Sequence, residues 1–371
     1  MSFSIPHSSS YSSFASSFSS NSKQDKNYDS CVITNGILSL LDKISVPNAV
    51  FCKGPSSMTL AHFGQKDNWS CGYRNLQMLL SSIMPNVYPN HPLFAEGRNR
   101  VPSINELQTL FEMSWEEGFD RDGADFYNHR LCGTNSVIGA VEVASLLSYL
   151  AIDSVVVQFE KSELLCWDQM EKFILHYFSK PCNCELNLGF DAYDVSYPDS
   201  ASDIVREVLD SVQEFGHDCP VDKSLSCSEH SDTESWSSLG SRCECFNSPL
   251  YLQWEGHSVT VVGIEKTIMK RKNKMKHISH LPSEYRSHVY HDIKYNLLVF
   301  DPLKEASSIN AALKIAIKFG RFNSNIIDPL RVPLSKIPGK KCQIIVCTTR
   351  PLPFKERKNA RYAINALTVK S

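Results

Sequence analysis

The sequence has no apolar run approaching the ~20 residues needed to cross a bilayer, so no membrane-spanning helix and no membrane partner is expected. Its first residues lack the basic start and hydrophobic centre of a secretory signal, which points away from secretion and toward nucleus or cytoplasm. Net charge is nearly absent too: 38 Lys and Arg against 40 Asp and Glu leave −2, with no general attraction to nucleic acid or anionic surfaces. With an oxidising compartment set aside, the 13 cysteines read mostly as free thiols, with metal ligands and a nucleophile as further roles, and not as a disulfide framework. No signal for an oligomeric state is present.

What is there is a chain of 371 residues, 42% hydrophobic and 21% charged, which suffices for a substantial core. Residues 1–28 are Ser-dominated and too poor in aliphatics to offset ordering entropy, so disorder is expected. An organellar transit peptide is the competing reading, opposed by the lack of arginine there. Residues 29–350 read as one folded domain with two interruptions. One is an acidic, Ser- and Cys-rich insertion at 181–248, and the other a basic hairpin at 266–292. Residues 351–371 form a basic C-terminal tail.

Within the domain, Ser103 and Glu106 form a capping box ahead of a helix reaching Phe119, and residues 133–150 read as a second long helix. DSVVVQF, LLVFDP and CQIIVCTT read as strands. The insertion holds Cys182, Cys184, Cys219, Cys227, Cys243, Cys245, His217 and His230, but its close pairs are Cys-x-Cys, not the Cys-x2–4-Cys of structural zinc. A flexible cysteine-containing loop is the simpler reading, and the basic run 266–277 reads as an exposed hairpin tip more readily than as a nuclear-import signal.

The stretch DNWSCGYRNLQML, residues 67–79, places Cys71 at the start of an amphipathic helix. A sulfur there faces unpaired backbone N–H groups and the positive helix end, which lower a thiol pKa from ~8.5 toward ~3.5–7.5, especially beside a histidine. The alternative is a small buried hydrophobe, the common fate of a free cysteine.

A cysteine nucleophile needs a base and a group that orients the base. Among 12 histidines, His257 lies in a strand pattern, EGHSVTVVGIE, and Asp301 closes the apolar strand LLVFD. If the two strands are neighbours, Asp301 reaches the His257 ring. Gln253, Glu255 and His257 would share a strand face unless Gly256 marks a bulge, bringing the Gln253 amide toward an oxyanion at Cys71. Gln65, six residues before the cysteine, competes for that role.

DNWSCGYRNLQMLLSS, LYLQWEGHSVTVVGIE and LLVFDP, in that order, resemble the peptidase domain of the ubiquitin-fold-modifier-specific protease family. Asn68, Trp69, Ser70 and Cys71 stand where the family has Gly-Trp-Gly-Cys. Modifier-directed members carry Asp-Pro-His; here Asp301 and Pro302 precede Leu303, while Gly256, His257 and Ser258 match the Gly-His-Ser of its branch of zinc-finger-containing ubiquitin peptidases. CVITNGILSLLDK stands here where that branch carries zinc fingers.

The resemblance implies an α+β, papain-like cysteine peptidase fold: a helical part carrying the nucleophile, packed on a mainly antiparallel sheet carrying His and Asp. It implies a deubiquitinase that cuts after the C-terminal glycine of ubiquitin, in polyubiquitin conjugates, with no metal or organic cofactor. Cys71 would attack, His257 protonate the leaving amine, Asp301 orient the imidazolium, and Gln253 or Gln65 hold the oxyanion. Trp69 would pack beneath the site. The alternatives are a protease for the ubiquitin-fold modifier or another ubiquitin-like protein, and a catalytically silent ubiquitin-binding protein.

Overall fold

In the computed structural model of the chain, residues 31–44, 46–52, 58–87, 101–161, 167–179, 200–214, 248–270 and 291–369 are described. The Ser-rich stretch, the Cys and His residues of the acidic insertion and the tip of the basic hairpin lie outside them.

Strand β1 (Ile33–Asn35), helix α1 (Ile37–Ile44) and strands β2 (Ala49–Phe51) and β3 (Ala61–Phe63) open the fold, with β1 and β3 paired antiparallel. Helix α2 (Cys71–Val87) follows. Its Leu76, Leu79, Leu80 and Ile83 recur at helical spacing and are fully buried in one core with helix α3 (Ile104–Glu116). The short helix α4 (Arg121–Phe126) and helix α5 (Ala140–Tyr149) complete that core. Met78, on another side of α2, joins a second core. Buried on several faces, α2 also carries buried polar side chains at Arg74, Asn75, Gln77, Ser81 and Ser82, and each needs a partner. The Ser103–Glu106 capping box forms at the start of α3.

The second half of the chain builds the sheet. Strand β4 (Ile152–Glu160) is followed by helices α6 (Asp168–Ser179) and α7 (Ala201–Glu214). Next come strands β5 (Leu250–Trp254), β6 (His257–Lys270) and β7 (His291–Phe300), helix α8 (Ser307–Phe319) and strand β8 (Arg331–Pro333). Strand β9 (Lys341–Pro351), helix α9 (Phe354–Asn359) and strand β10 (Ala366–Val369) close it. Eight strands form one sheet in the order β10-β4-β9-β5-β6-β7-β8, with β2 also on β6. All its pairs are antiparallel except β10 with β4. The chain is thus α+β, with the Cys71 helix packed on a mainly antiparallel sheet, as expected of a papain-like architecture.

Both sheet faces are covered, which is why its strands read as near-continuous apolar runs. Val155, Val157, Leu250 and Leu252 point into one core, and Val156, Tyr251 and Ile345 into the other. Residues 201–214, inside the expected insertion, form α7, whose Ala201, Val205 and Val208 are buried. The Asp153 carboxylate accepts from the Ala201 N–H (2.8 Å) and holds this helix start to β4. The basic tail likewise folds onto the domain: residues 366–369 pair with β4, and Arg361 bonds Glu117 (3.2 Å).

Two expectations need correction. The helix expected over 133–150 begins only at Ala140, with Gly139 at its cap; its backbone N–H is bonded by Glu142 (2.7 Å), and residues 135–139 run without regular structure. Gln253, Glu255 and His257 do not share one strand: Glu255 and Gly256 (φ +82°) form a two-residue hairpin turn between β5 and β6. Trp254 pairs with His257 and Gln253 with Ser258, so Gln253 shares the face of Ser258.

Along β6 and β7, Val261 pairs with Val299 and Gly263 with Leu298, leaving Val262 as an extra residue, a bulge. Its carbonyl accepts from the Cys52 N–H (2.8 Å), so β2 seals the irregularity. Gly263 lies under β2, and a Cβ there would sit 2.3 Å from the Val50 carbonyl oxygen. Gly263→Ala is therefore expected to lift β2 from β6 and lower stability by about 1–3 kcal/mol, measured as an earlier denaturant midpoint.

Candidate active site

Asp67 shapes the approach to α2. One carboxylate oxygen accepts from the backbone N–H groups of Trp69 (3.0 Å) and Ser70 (2.7 Å), and the other from the Ser70 hydroxyl (2.8 Å). Burial pushes this carboxyl up, but those bonds prevail and hold it below the usual carboxylate value. The Ser70 carbonyl receives the Arg74 N–H (2.9 Å), and Cys71 is the first residue of the helix, as expected. Trp69 packs edge-on against Tyr73 with ring centroids 5.7 Å apart. At Gly72 a Cβ would lie 2.6 Å from the Ile138 carbonyl oxygen, so only glycine lets the segment before α5 pass this close to the first turn of α2.

Asn75, one turn after Cys71 and fully buried, ties this helix to the sheet. Its Nδ2 donates to the Cys71 carbonyl (2.9 Å) and to Ser258 Oγ (3.0 Å), and its Oδ1 accepts from the Thr260 hydroxyl (2.8 Å). A carbonyl can only accept, so the amide orientation is fixed. Ser258 and Thr260 share one face of β6, adjacent to His257 at its first position.

His257 Nε2 donates to Asp301 Oδ1 at 2.9 Å. Antiparallel pairing brings the start of β6 and the end of β7 to the same edge, which is how residues 44 positions apart meet. Asp301 Oδ1 also accepts from the Leu303 N–H (3.0 Å). The backbone there is gripped from β3: His62 Nε2 donates to the Asp301 carbonyl (3.0 Å), and the Gln65 N–H donates to the Pro302 carbonyl (2.7 Å). Burial keeps His62 below the ordinary imidazole value. Its ring packs edge-on against Phe300 at 5.7 Å.

With Nε2 engaged by Asp301, the other His257 nitrogen is left for Cys71, and the two groups favour each other's charged forms. Burial opposes the His257 charge, but Asp301 and the Cys71 sulfur outweigh it and raise its pKa to about 9. Burial likewise disfavours the Cys71 thiolate, yet His257 and the Ser258 hydroxyl prevail and hold the thiol below its ordinary value. The pair therefore favours thiolate beside imidazolium, the state suited to attack on a carbonyl and protonation of a departing amine. Asp301 is held below the carboxylate range, burial again being overcome by His257. By contrast, burial pushes the Cys52 and Cys342 thiols up to about 12, as inert core cysteines require.

Gln253 lies beside this group: a Cβ on Gly139 would be 3.2 Å from its Nε2, and Gly139 follows the Ile138 that touches Gly72. Gln65 is placed less freely, its Nε2 donating to the Asp67 carbonyl (2.9 Å). Sequence reading missed Asp67, His62 and Asn75, and took Ser258 only as a motif residue without its bond to Asn75. Asn75 at i+4 from Cys71 was the accessible signal, since it shares the cysteine's helix face. Among the described residues, no group of three or more His, Cys, Asp or Glu is placed to hold a metal ion.

Asn75→Ala strands the Ser258 and Thr260 hydroxyls and frees the helix start. A stability loss of about 1–3 kcal/mol is expected, together with slower alkylation of Cys71 by iodoacetamide, measured by mass spectrometry.

Residues 51–320 match the family model described as Peptidase family C78. The chain is 43% identical over 113 residues to zinc finger-containing ubiquitin peptidase 1 of Homo sapiens, covering 30% of this chain and 19% of that protein. It is 32% identical over 214 residues to the Rattus norvegicus protein of the same name, covering 57% and 26%. The matched stretch thus spans about a fifth to a quarter of each of these two relatives. The crystal structure of UfSP from C. elegans aligns with 86% of this chain and 37% of that one, at 13% identity and a TM-score of 0.35, too low to carry an argument. With the family pattern matched across the cysteine helix, the hairpin of His257 and the strand end of Asp301, the chain belongs to peptidase family C78.

Proposed function

We propose that this chain is a cysteine-type deubiquitinase that hydrolyses the peptide or isopeptide bond after the C-terminal glycine of ubiquitin. The observation that carries the reading is Cys71 at a helix start beside His257, which favours its thiolate and whose Nε2 bonds Asp301 at 2.9 Å. The Cys71 thiolate attacks the glycine carbonyl, and His257 gives its proton to the departing amine. Asp301 keeps the ring aligned and stabilises its charge. A water that His257 deprotonates then hydrolyses the thioester, and the proton returns to the imidazole–thiolate pair. The Cys71 N–H and the Gln253 amide serve the oxyanion, Gln65 being held by Asp67.

Ubiquitin, and not another modifier, is favoured by two features. Leu303 stands two residues after Asp301 where modifier-directed members carry their histidine, and the base sits on the β5–β6 hairpin instead. The curated relatives quoted above are named as ubiquitin peptidases.

Ubiquitin and the ubiquitin-fold modifier, each carrying a C-terminal electrophile, separate the possibilities. Ubiquitin is expected to label the wild-type chain and not Cys71→Ala. Labelling by the other modifier alone would reverse the branch assignment, and silence with both would leave a binding protein.

The pH dependence of kcat/KM follows from the same pair. The thiolate form persists below the ordinary thiol value, and the imidazolium survives up to about pH 9. A bell is expected whose alkaline limb lies near pH 9, reported as apparent values of the coupled pair. Asp301→Asn removes the charge that raises His257, so its alkaline limb should move to lower pH.

A further inference from the structure

We propose that Tyr251 is a positioning residue that fixes the polarity of the Gln253 amide, aiming its N–H groups at the oxyanion; this rests on the peptidase activity proposed above. Tyr251 is fully buried on β5, two residues before Gln253 and on the same strand face. Its hydroxyl donates to Gln253 Oε1 at 3.1 Å. Among the described residues the Gln253 Nε2 has no hydrogen-bond partner, so with its carbonyl engaged the amide presents free donors. The amide also lies against Gly139, where a Cβ would sit 3.2 Å from Nε2 and require it to shift.

A tyrosine hydroxyl can donate or accept, so the direction of this bond needs a reason. It comes from the atom that the hydroxyl meets, the Gln253 carbonyl oxygen, which can only accept. The Cys71 carbonyl can only accept, which makes Asn75 Nδ2 the donor both there and to Ser258 Oγ. Ser258 Oγ accepts from Asn75, and its single proton is left for the Cys71 sulfur, whose thiolate it favours. The Tyr251 hydroxyl is therefore the donor of this bond and Gln253 Oε1 its acceptor. A reversed amide would point its carbonyl oxygen at the developing oxyanion and repel it. Tyr251 touches no reacting atom in this arrangement; it acts through Gln253.

The test uses steady-state hydrolysis of a fluorogenic amide of the ubiquitin C-terminus by the whole chain. The variants are Tyr251→Phe, Gln253→Ala and the double variant, alongside the rate of Cys71 alkylation by iodoacetamide. Alkylation is a displacement at carbon and forms no oxyanion, so it reports the thiolate alone. Gln253→Ala is expected to lower kcat about 100-fold, and Tyr251→Phe about ten-fold, both with KM little changed. In the Gln253→Ala background Tyr251→Phe should have no further effect, and alkylation should proceed at the wild-type rate in all variants. Full kcat in Tyr251→Phe, a loss that persists in the double variant, or a parallel loss of alkylation would overturn the inference while leaving the activity standing. Absence of turnover by the wild-type chain would instead overturn the proposed ubiquitin activity, and this inference with it.

Discussion

Asn75 joins two halves of the molecule that come from opposite ends of the domain. Its amide spends its donors on the Cys71 carbonyl and Ser258, and its oxygen on Thr260, in a place where all the side chains involved are buried. Each unmade bond there would cost about 1–3 kcal/mol, with no water to replace it. Helix α2 therefore cannot slide along the sheet by one turn, ~5.4 Å, without orphaning the whole set. Hydrophobic contacts alone would tolerate small shifts, because apolar packing has no direction. The amide adds that direction, and the separation of the Cys71 and His257 backbones follows from it.

Around that fixed frame, burial opposes charge on Asp67, Cys71, His257 and Asp301 alike. In each case specific partners overcome it, so the site is a set of mutually dependent ions, each tolerable because of its neighbours. The dependence extends outward: His62 and the Gln65 N–H hold the carbonyls of Asp301 and Pro302, so β3 fixes the loop from which the carboxylate projects. The chain just before the nucleophile thus supports the far end of the Cys–His–Asp line.

Much of this was legible in the sequence. The helix start at Cys71, the strand leading to Asp301 and the Ser103–Glu106 capping box are local patterns, set by periodicity and short-range hydrogen bonding. The turn at Glu255–Gly256 was harder, because a glycine within a strand pattern reads equally as a bulge, and it is the pairing of Trp254 with His257 that makes it a two-residue reversal. Residues 133–139 read as helix because their composition permits one. What prevents it is tertiary: Ile138 packs onto Gly72, and Gly139 gives way to the Gln253 amide. The supporting polar residues escaped notice for a related reason. Asn75 and His62 are ordinary residue types whose importance arises from partners distant in sequence.

The extra residue at Val262 has one more effect. A one-residue slip between paired strands turns every side chain to the opposite face. The bulge, anchored through Cys52 and β2, sets the phase of β6 against β7 on its catalytic side separately from the phase beyond it. Pairing from Ile264 outward to the Lys-rich end keeps its own register. The distal ribbon is thereby insulated, and changes in its length or composition can accumulate without turning His257 or Asp301 away from each other.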